Sequence, residues 1–380
     1  MNEPGERVVD VEGPPSVSEK RVTWVELFFD LVFVFAITQV SGLLHQDHTW
    51  AGIGRALVVF VPIYWAWIGT SVHANTHDVD NPLDRLGIFA VGLCALFMAL
   101  ATPFAYGDRG VLFGASYYGA RLILAFLIFR GPGVSLSPFS VAVVVSGPLL
   151  LIGGFLDGPA RVTLWAMAAI TDLSTPRLLR RRLIGLRFNS SHMPERFGLL
   201  VLIALGESIV ATGLPTASAD HLTAGQLGAV TAAFVLACGL WWVYFHFARS
   251  AIQHALATAA VQTDVVRQVL SYGHLSFIAG VIAFAGGLAE VVAHPGAHLH
   301  IDTAALLFGG CALYLATFGY TRWRMFRLWS TWRLSAAGVV LILLPFAPYV
   351  PALAAVSGIA AVVVALNVLE FELVRRRGEL

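Results

Sequence analysis

The stretch W-V-E-L-F-F-D-L-V-F-V-F-A-I-T-Q-V-S-G-L-L, residues 24–44, decides the fold class of this chain. Its residues are uncharged apart from Glu26 and Asp30. A bilayer core of about 30 Å needs roughly 20 apolar residues at about 1.5 Å rise each. The stretch therefore predicts a membrane-spanning helix that begins near Trp24. Residues 1–20 are polar and lack the apolar core of a signal peptide, which predicts a disordered N-terminal segment.

The composition extends this prediction to the whole chain. Hydrophobic residues make up 57% and charged residues 12%, whereas a soluble domain carries roughly 25% charge. The lipid bilayer must therefore act as the solvent, and we expect an all-α, polytopic transmembrane helical bundle. The net charge of +1 argues against a nucleic-acid partner. The three cysteines have no metal-ligand spacing, so neither a metal nor a cofactor is expected.

The same hydropathy window predicts about twelve spans. They fall at residues 24–44, 50–73, 85–104, 110–129, 139–156, 160–174, 195–214, 222–247, 267–292, 302–320, 333–351 and 353–374. Arginine is concentrated in alternate loops, which predicts, by the positive-inside rule, a multi-pass membrane protein with both termini cytoplasmic.

The order of several short matches predicts an internal duplication. Span seven repeats the glutamate and phenylalanine spacing of span one, and L-F-G followed by tyrosine occurs in spans four and ten. Six spans in each half would give parallel repeats, as some transporters have. The predicted organisation is a disordered segment 1–20, a first membrane half 21–175, an arginine-rich linker 176–194 and a second membrane half 195–380.

Four segments together resemble the bacterial low temperature requirement A (LtrA) family. They are R-V-T-W-V-E-L-F-F-D-L-V-F-V-F-A-I-T-Q-V-S-G-L-L at 21–44, H-D-V-D-N-P-L-D-R at 77–85, E-R-F-G-L-L-V-L-I-A-L-G-E-S-I at 195–209 and S-Y-G-H at 271–274. The resemblance covers the whole membrane domain and implies its fold and class. The name of that family refers to a growth phenotype, so any mechanism must come from the residues.

Ionisable residues inside spans are costly and usually face the bundle interior or a water-filled cavity. Glu207, followed by Ser208, lies near mid-membrane, where a desolvated carboxyl can exchange protons or can lock two helices together. Glu26 and Asp30, four residues apart on one helix face, could collect a proton or cation or could satisfy nearby arginines. Arg121 requires an anionic partner, and Glu207 or Asp30 is the expected one.

Three further groups have weaker functional signals. His274 could join a proton relay, because imidazole titrates near neutral pH, or could be a satisfied core histidine. The acidic loop with His77, Asp78, Asp80 and Asp84 could attract a cation or, more simply, dock the arginine-rich loops. The outer loop with His294, His298 and His300 has some metal-like density but lacks a ligand framework, so metal binding is not expected there.

Three function classes remain open at this point. A secondary, proton- or ion-coupled transporter of an unknown small solute or ion fits the duplication and the mid-membrane carboxylate, with Glu207, Asp30, Glu26, Arg121, Ser208 and His274 as transport residues. The alternatives are an ion channel and a membrane-embedded enzyme that acts on lipid, although an enzyme is not expected. The sequence contains no phosphate-binding loop, hydrolase elbow or dinucleotide fingerprint. A homo-oligomer is possible.

Overall fold

The computed structural model describes residues 20–130, 136–217 and 220–377, and within them the protein is built from helices without β-strands. The first half contains α1 Trp24–Gln46, α2 Trp50–Thr76, α3 Pro82–Phe104, α4 Gly110–Phe129, α5 Pro138–Gly154 and α6 Gly158–Leu178. The second half contains α7 His192–Ala217, α8 Ala224–Thr258, α9 Gln262–Ala293, α10 Ile301–Phe326, α11 Thr331–Tyr349 and α12 Ala352–Arg377. A helical turn, Arg180–Leu183, lies between the halves.

The all-α polytopic fold is confirmed, and the twelve predicted windows coincide with these twelve helices. Ten of the described helices are long and apolar enough to cross a membrane. The other two are α5, which is shorter, and α6, which carries charged residues within its length. Of the twelve predicted spans, ten thus have the length and composition of a membrane-spanning helix in the structure. Because α5 and α6 are consecutive, the orientation of α7 is the same whether or not this pair crosses.

The predicted domain bounds differ from the helix bounds in the structure. The segment 1–20 lies outside the described residues except for Lys20. The predicted linker 176–194 is shorter as a connection, because α6 continues to Leu178 and α7 already begins at His192. A cap explains the early start of α7, since the side chain of Asn189 accepts hydrogen bonds from the backbone N–H groups of Ser191 and His192.

The distribution of side chains is that of a protein dissolved in lipid. Large apolar side chains such as Phe89, Leu93, Val144 and Ile152 are exposed on the outer surface of the helices. Several charged side chains within the helices, Arg196 among them, are instead buried in the bundle. Soluble proteins bury apolar groups and expose charges, so this pattern supports the membrane assignment independently of hydropathy.

The two halves share one packing order. In the first half α1 packs on α2 and α3, α3 on α4, α4 on α5, α5 on α6, and α6 returns to α2. In the second half α7 packs on α8 and α9, α9 on α10, α10 on α11, α11 on α12, and α12 returns to α8. The six-plus-six repeat stays a prediction, and this shared order supports it.

The closest helix contact within the second half depends on glycine. A β-carbon at Gly280 of α9 would lie 2.8 Å from the carbonyl oxygen of Gly310 in α10. The backbones therefore approach to a distance that only small residues permit, as is common between membrane helices. This contact fixes α9 against α10, and α9 in turn packs on α1 and α7.

The halves meet through α1, which packs against α7 and α9, and through α2, which also reaches α7. We call the side at which α1 begins the N-terminal face, defined by Lys20, His77, Arg130 and His192. Lys20 lies there against the end of α2, where its ammonium donates to the carbonyl of His77 at 2.7 Å. That this face is cytoplasmic stays a prediction.

Candidate functional site

The candidate site begins where the first helix of each half starts. Glu26 is the third residue of α1, and its carboxylate accepts from the Thr23 hydroxyl at 2.9 Å and from the Thr23 N–H at 3.3 Å. A glutamate at this position is the usual partner of an N-terminal threonine. The start of α7 is held beside it because Asn75, near the end of α2, accepts from the Asn189 N–H at 3.0 Å.

These helix starts bury an ionic cluster made of Glu26, Asp30, His192 and Arg196. The Arg196 guanidinium bonds the Glu26 carboxylate with one nitrogen and donates to Asp30 Oδ1 at 2.8 Å with another. The indole N–H of Trp67 donates to the same Asp30 oxygen at 2.8 Å. All four members of the cluster are at most 2% exposed. One arginine thus bridges the two carboxylates that were predicted to share a helix face.

The histidine of the cluster is held in one tautomer. Its Nδ1 lies 3.0 Å from the side-chain nitrogen of Asn75, whose oxygen is already fixed by the Asn189 N–H. The Asn75 amide therefore donates, and His192 Nδ1 accepts. The proton of the neutral ring must then lie on Nε2, which is 3.2 Å from Glu26 Oε1. His192 in this arrangement is an uncharged donor to Glu26.

The cluster consequently carries one uncompensated negative charge when both carboxyl groups are ionised. Glu26 and Asp30 contribute two negative charges, Arg196 contributes one positive charge, and His192 contributes none. Asp30 Oδ2 is buried and has no hydrogen-bond partner within the described part of the chain. A buried charge without a partner is costly. A proton or a small cation at Asp30 Oδ2 would remove that cost, so this oxygen is the acceptor position of the site.

Glu207 lies further along the same α1–α7 contact, where it pairs with Thr38 of α1. Thr38 Oγ1 is 2.5 Å from Glu207 Oε2 and 3.1 Å from the carbonyl oxygen of Val34. A hydroxyl has one hydrogen and cannot donate to both. Either Thr38 donates to an ionised Glu207, or a protonated Glu207 donates to Thr38 while Thr38 donates to Val34. The pair accommodates both protonation states of the carboxyl without a change of partner.

Ser208 and His274 stand apart from these carboxylates. The Ser208 hydroxyl donates to the Leu205 carbonyl of its own helix at 2.6 Å. His274 is fully buried, with Nδ1 3.0 Å from the Val269 carbonyl and Nε2 2.7 Å from the Tyr244 hydroxyl. Since its two partners are a backbone carbonyl and a phenol, the geometry favours the core-histidine alternative over the relay.

The expected pairing of Arg121 with Glu207 or Asp30 is wrong. Arg121 of α4 pairs instead with Asp172 of α6 at 3.4 Å and lies over the ring of Tyr117 at 4.8 Å. Asp172 also accepts from Ser146 at 2.7 Å and from the Tyr117 hydroxyl. Arg121 faces α5 and α6, while Glu207 and Asp30 lie on the α1–α7 side. The three groups therefore do not meet around one cavity.

The carboxylates of the acidic loop pair with side chains of the protein itself rather than converging on a ligand. Asp84 is buried and joins Arg130 at the end of α4, 2.6 Å away, to His73 of α2, 2.8 Å away. Asp80 pairs with Arg85 at 2.9 Å, and Asp78 accepts from the Asp80 N–H within the loop. His77 stacks on His73 with ring centroids 4.7 Å apart. Of the two alternatives for this loop, docking onto arginine is the simpler one, and it fits Asp84. The partner of Asp84 is Arg130, however, and not an arginine of the linker.

The outer histidines surround a small cavity of about 290 Å³ together with His48, Glu290 and Asp302. His294 bonds Glu290 at 3.1 Å, and His298 bonds the Pro348 carbonyl at 3.0 Å. In the described residues no group of three or more histidine, cysteine or carboxylate side chains is arranged to hold a metal ion.

A larger cavity of about 790 Å³ opens at the N-terminal face between the two halves. Helices α2, α4, α5 and α6 line it from the first half, α9 lines it from the second half, and the connection between α6 and α7 closes one side. The segment Val266–Gly273 of α9 is π-helical, a conformation frequent at functional sites. It brings Arg267 and Ser271 to the cavity wall.

Sequence reasoning missed three ionisable residues of these sites, namely His192, Arg196 and Asp172. His192 and Arg196 were assigned to the linker or the cytoplasmic start of a span, although Arg196 directly follows Glu195 in the quoted E-R-F-G motif. Asp172 lay near the end of the short predicted span 160–174. The available signal was the helical spacing of four between His192 and Arg196, the same spacing that links Glu26 and Asp30.

Fold and buried charges together define a polytopic α-helical membrane protein whose two groups of six helices meet across a buried ionic cluster. Residues 21–368 match the family described as Bacterial low temperature requirement A protein (LtrA), and the chain belongs to that family. It is similar to an uncharacterized protein of Rhizobium meliloti (strain 1021), with 31% identity over 317 residues, 79% of this chain and 77% of the relative. No solved structure matches the chain.

Proposed function

We propose that the protein is a proton-coupled secondary transporter of the bacterial inner membrane, with both termini cytoplasmic, that carries a small solute. The observation that supports this most is the α1–α7 contact between the halves. It buries two carboxylates, Glu26 and Asp30, against the single charge of Arg196 and leaves Asp30 Oδ2 open to a proton. Proton-coupled carriers need a buried group that gains and loses a proton where the moving parts meet.

Glu207 extends this proton-binding line towards the middle of the membrane. It lies eleven residues beyond Arg196 on α7, about 16 Å along the helix. The Thr38 hydroxyl can pair with either an ionised or a protonated Glu207 carboxyl. The proposal therefore places proton binding on two carboxyl groups of one interface, Asp30 and Glu207, rather than on one central site shared with Arg121.

The cavity between the halves supports a carrier over the alternatives. Solute sites of repeat-built transporters lie at the interface of the repeats, and this cavity is lined from both halves. An enzyme that acts on lipid would need free catalytic carboxylates near an interface, yet Arg196 engages both Glu26 and Asp30. A channel would be identified by unitary currents in planar bilayers, at rates that a carrier does not reach.

The test is a proton-flux assay on purified protein in proteoliposomes with a pH dye inside. An imposed pH gradient is challenged with a panel of sodium and potassium salts, monocarboxylates, dicarboxylates and phosphate esters. We expect at least one solute to collapse the gradient with the wild type, and we expect Asp30→Asn and Glu207→Gln each to abolish this flux. Arg181→Gln, at an exposed site on the same face, is the matched control and should retain it. Full flux in both carboxyl variants, with the fold intact, would refute the proposal.

A further inference from the structure

The cavity between the halves has an unusual charge balance. Four arginines line it, namely Arg121, Arg182, Arg187 and Arg267, while its described lining contains no carboxylate. Arg121 and Arg267 are 3% and 7% exposed, and the Nε atom of each is buried without a hydrogen-bond partner in the described part of the chain. An arginine cannot lose its charge, so each of these two buried guanidinium groups keeps a donor whose hydrogen-bonding capacity is unused.

The nearby carboxylates compensate only part of this charge. Asp172 pairs with Arg121, and Asp264 pairs with both Arg267 and Arg180. These three arginines and the two rim residues, Arg182 and Arg187, carry five positive charges. Asp172 and Asp264 carry two negative charges, so three positive charges are in excess. Arg182 and Arg187 are exposed and form no ion pair within the described residues. The excess positive charge therefore lies mainly at the rim of the cavity, where Arg182 and Arg187 have no carboxylate partner among the described residues.

The walls between the arginines are apolar. Trp65, Ile68 and Val72 of α2 line the cavity together with Phe139 of α5, and Phe188 lines it from the connection. The arginine at the floor, Arg121, lies nine residues before the end of the helix at Arg130, about 13 Å deep. A purely inorganic anion would leave these apolar walls in contact with water, whereas an apolar solute would leave the arginines without partners.

We propose that this cavity binds an amphipathic organic anion, with its carboxylate or phosphate on the arginines and its apolar body against Trp65 and Phe139. A volume of about 790 Å³ suits a molecule of this kind. This inference rests on the proposed function in one respect only, because it names the class of solute that such a transporter would carry. The anion comes either from the aqueous phase or from the lipid bilayer, and both sources share the chemistry that the cavity recognises.

Binding is tested without transport. The probe is dansyl-labelled undecanoic acid, and its methyl ester serves as the uncharged probe with the same apolar body. Fluorescence titrations use the protein in phosphatidylcholine nanodiscs. We expect the acid to bind about tenfold more tightly than the ester, a difference of about 1.4 kcal/mol, because only the acid carries a charge that the arginines can pair with. The variant Arg182→Gln/Arg187→Gln should weaken binding of the acid about tenfold and leave binding of the ester unchanged.

The matched control is Arg177→Gln/Arg181→Gln, which removes two exposed arginines that do not line the cavity, one near the end of α6 and one in the connection that follows it. It should bind the acid as the wild type does. The source of the anion follows from competition. Displacement of the dansyl-labelled acid by naphthoic acid indicates a free aqueous anion. Displacement of the dansyl-labelled acid when phosphatidylglycerol replaces phosphatidylcholine in the nanodiscs indicates a lipid.

Three results would overturn the inference. They are equal binding of acid and ester, an equal loss in the control double variant, and displacement by neither competitor. The outcome is separable from that of the flux assay. Binding of the acid without proton flux would keep the anion site and refute the transporter, whereas flux that is unaffected by Arg182→Gln/Arg187→Gln would keep the transporter and refute this site.

Discussion

Arg196 on α7 donates to Asp30 on α1 at 2.8 Å, and this bond joins the first helix of one half to the first helix of the other. Arg196 also bonds Glu26, and its guanidinium lies 5.5 Å from the ring of Trp67. A single buried cation thus holds two carboxylates and an aromatic ring at the contact between the halves. Its removal has consequences for stability that differ from those of removing Asp30.

Arg196→Gln should destabilise the protein strongly. It leaves Glu26 and Asp30 buried with no cation, and breaking a buried pair on one side costs about 3–5 kcal/mol. Asp30→Asn should cost far less, since it removes the charge that Arg196 does not compensate. The double variant should recover part of the loss of Arg196→Gln. Unfolding titrations with SDS in mixed micelles measure all three. Additive losses in the double variant would show that the two residues are not coupled.

Thr38→Val should affect flux and stability through Glu207. It removes the described hydrogen-bond partner of Glu207 Oε2, and a buried polar group left unsatisfied costs about 1–3 kcal/mol. Because an ionised Glu207 needs that hydroxyl more than a protonated one does, the loss of stability should shrink as the pH is lowered. Thr317→Val is the control, since its buried hydroxyl bonds only the Leu313 carbonyl of its own helix. A pH-independent loss in Thr38→Val would contradict the switching role of this pair.

The sequence was sufficient to predict the helices but not the partners of their charges. Hydropathy is a local property, so the window around residues 110–129 could match α4 to the residue. Which charge meets Arg121 depends on the side by which α4 packs on α5 and α6. Glu207 and Asp30 were the expected partners of Arg121 because both are carboxylates within predicted spans. The true partner, Asp172, lies in a helix whose own charges had weakened its hydropathy signal.

The α1–α7 cluster shows a related limit, because its carboxylates could be placed from the sequence but their arginine partner could not. Glu26 and Asp30 could be placed on one helix face by their spacing alone, and satisfaction by nearby arginines was one of the alternatives. His192 lies outside the hydropathy window because α7 begins three residues earlier, at the cap formed by Asn189. Arg196 lies inside that window, and its pairing with Glu26 and Asp30 depends on how α7 packs against α1. Polar capping residues carry no hydropathy signal, so helix starts are where such windows fail.

The pH dependence of stability should report on His48 in the loop between α1 and α2. Burial, with the neighbouring His45 second, lowers the pKa of His48, and Glu290 and Asp302 only partly oppose this. The unfolded chain binds its proton near the ordinary value of about 6.5. Between the two pKa values the unfolded state therefore binds more protons, so stability rises with pH and falls on acidification below about pH 6.5.

Thermal unfolding in detergent at about pH 7.5 and about pH 5.5 measures this effect. His48→Gln should reduce the loss of the unfolding midpoint on acidification. His254→Gln, at an exposed position on α8, should leave that loss as in the wild type. If both variants keep the wild-type pH slope, His48 is not the group that titrates.

Asp172→Asn should separate the structural role of Arg121 from its role in the cavity. The substitution leaves Arg121 buried without a carboxylate, and we expect a loss of about 3–5 kcal/mol of stability. The same change frees a cation at the cavity floor, so the dansyl-labelled acid should bind more tightly than to the wild type. A ligand that binds only the folded state stabilises that state more, the more tightly it binds. The acid should therefore raise the unfolding midpoint more in Asp172→Asn than in the wild type.

Asp80→Asn is the control for this last prediction, since Asp80 lies on the same face but pairs with the exposed Arg85, away from the cavity. It should change neither the unfolding midpoint nor the affinity for the acid by a measurable amount. A purely structural Arg121–Asp172 pair would give the loss of stability alone. The combination of lower stability with tighter binding arises only if Arg121 faces the bound anion, because no other consequence of the substitution adds positive charge to the cavity floor.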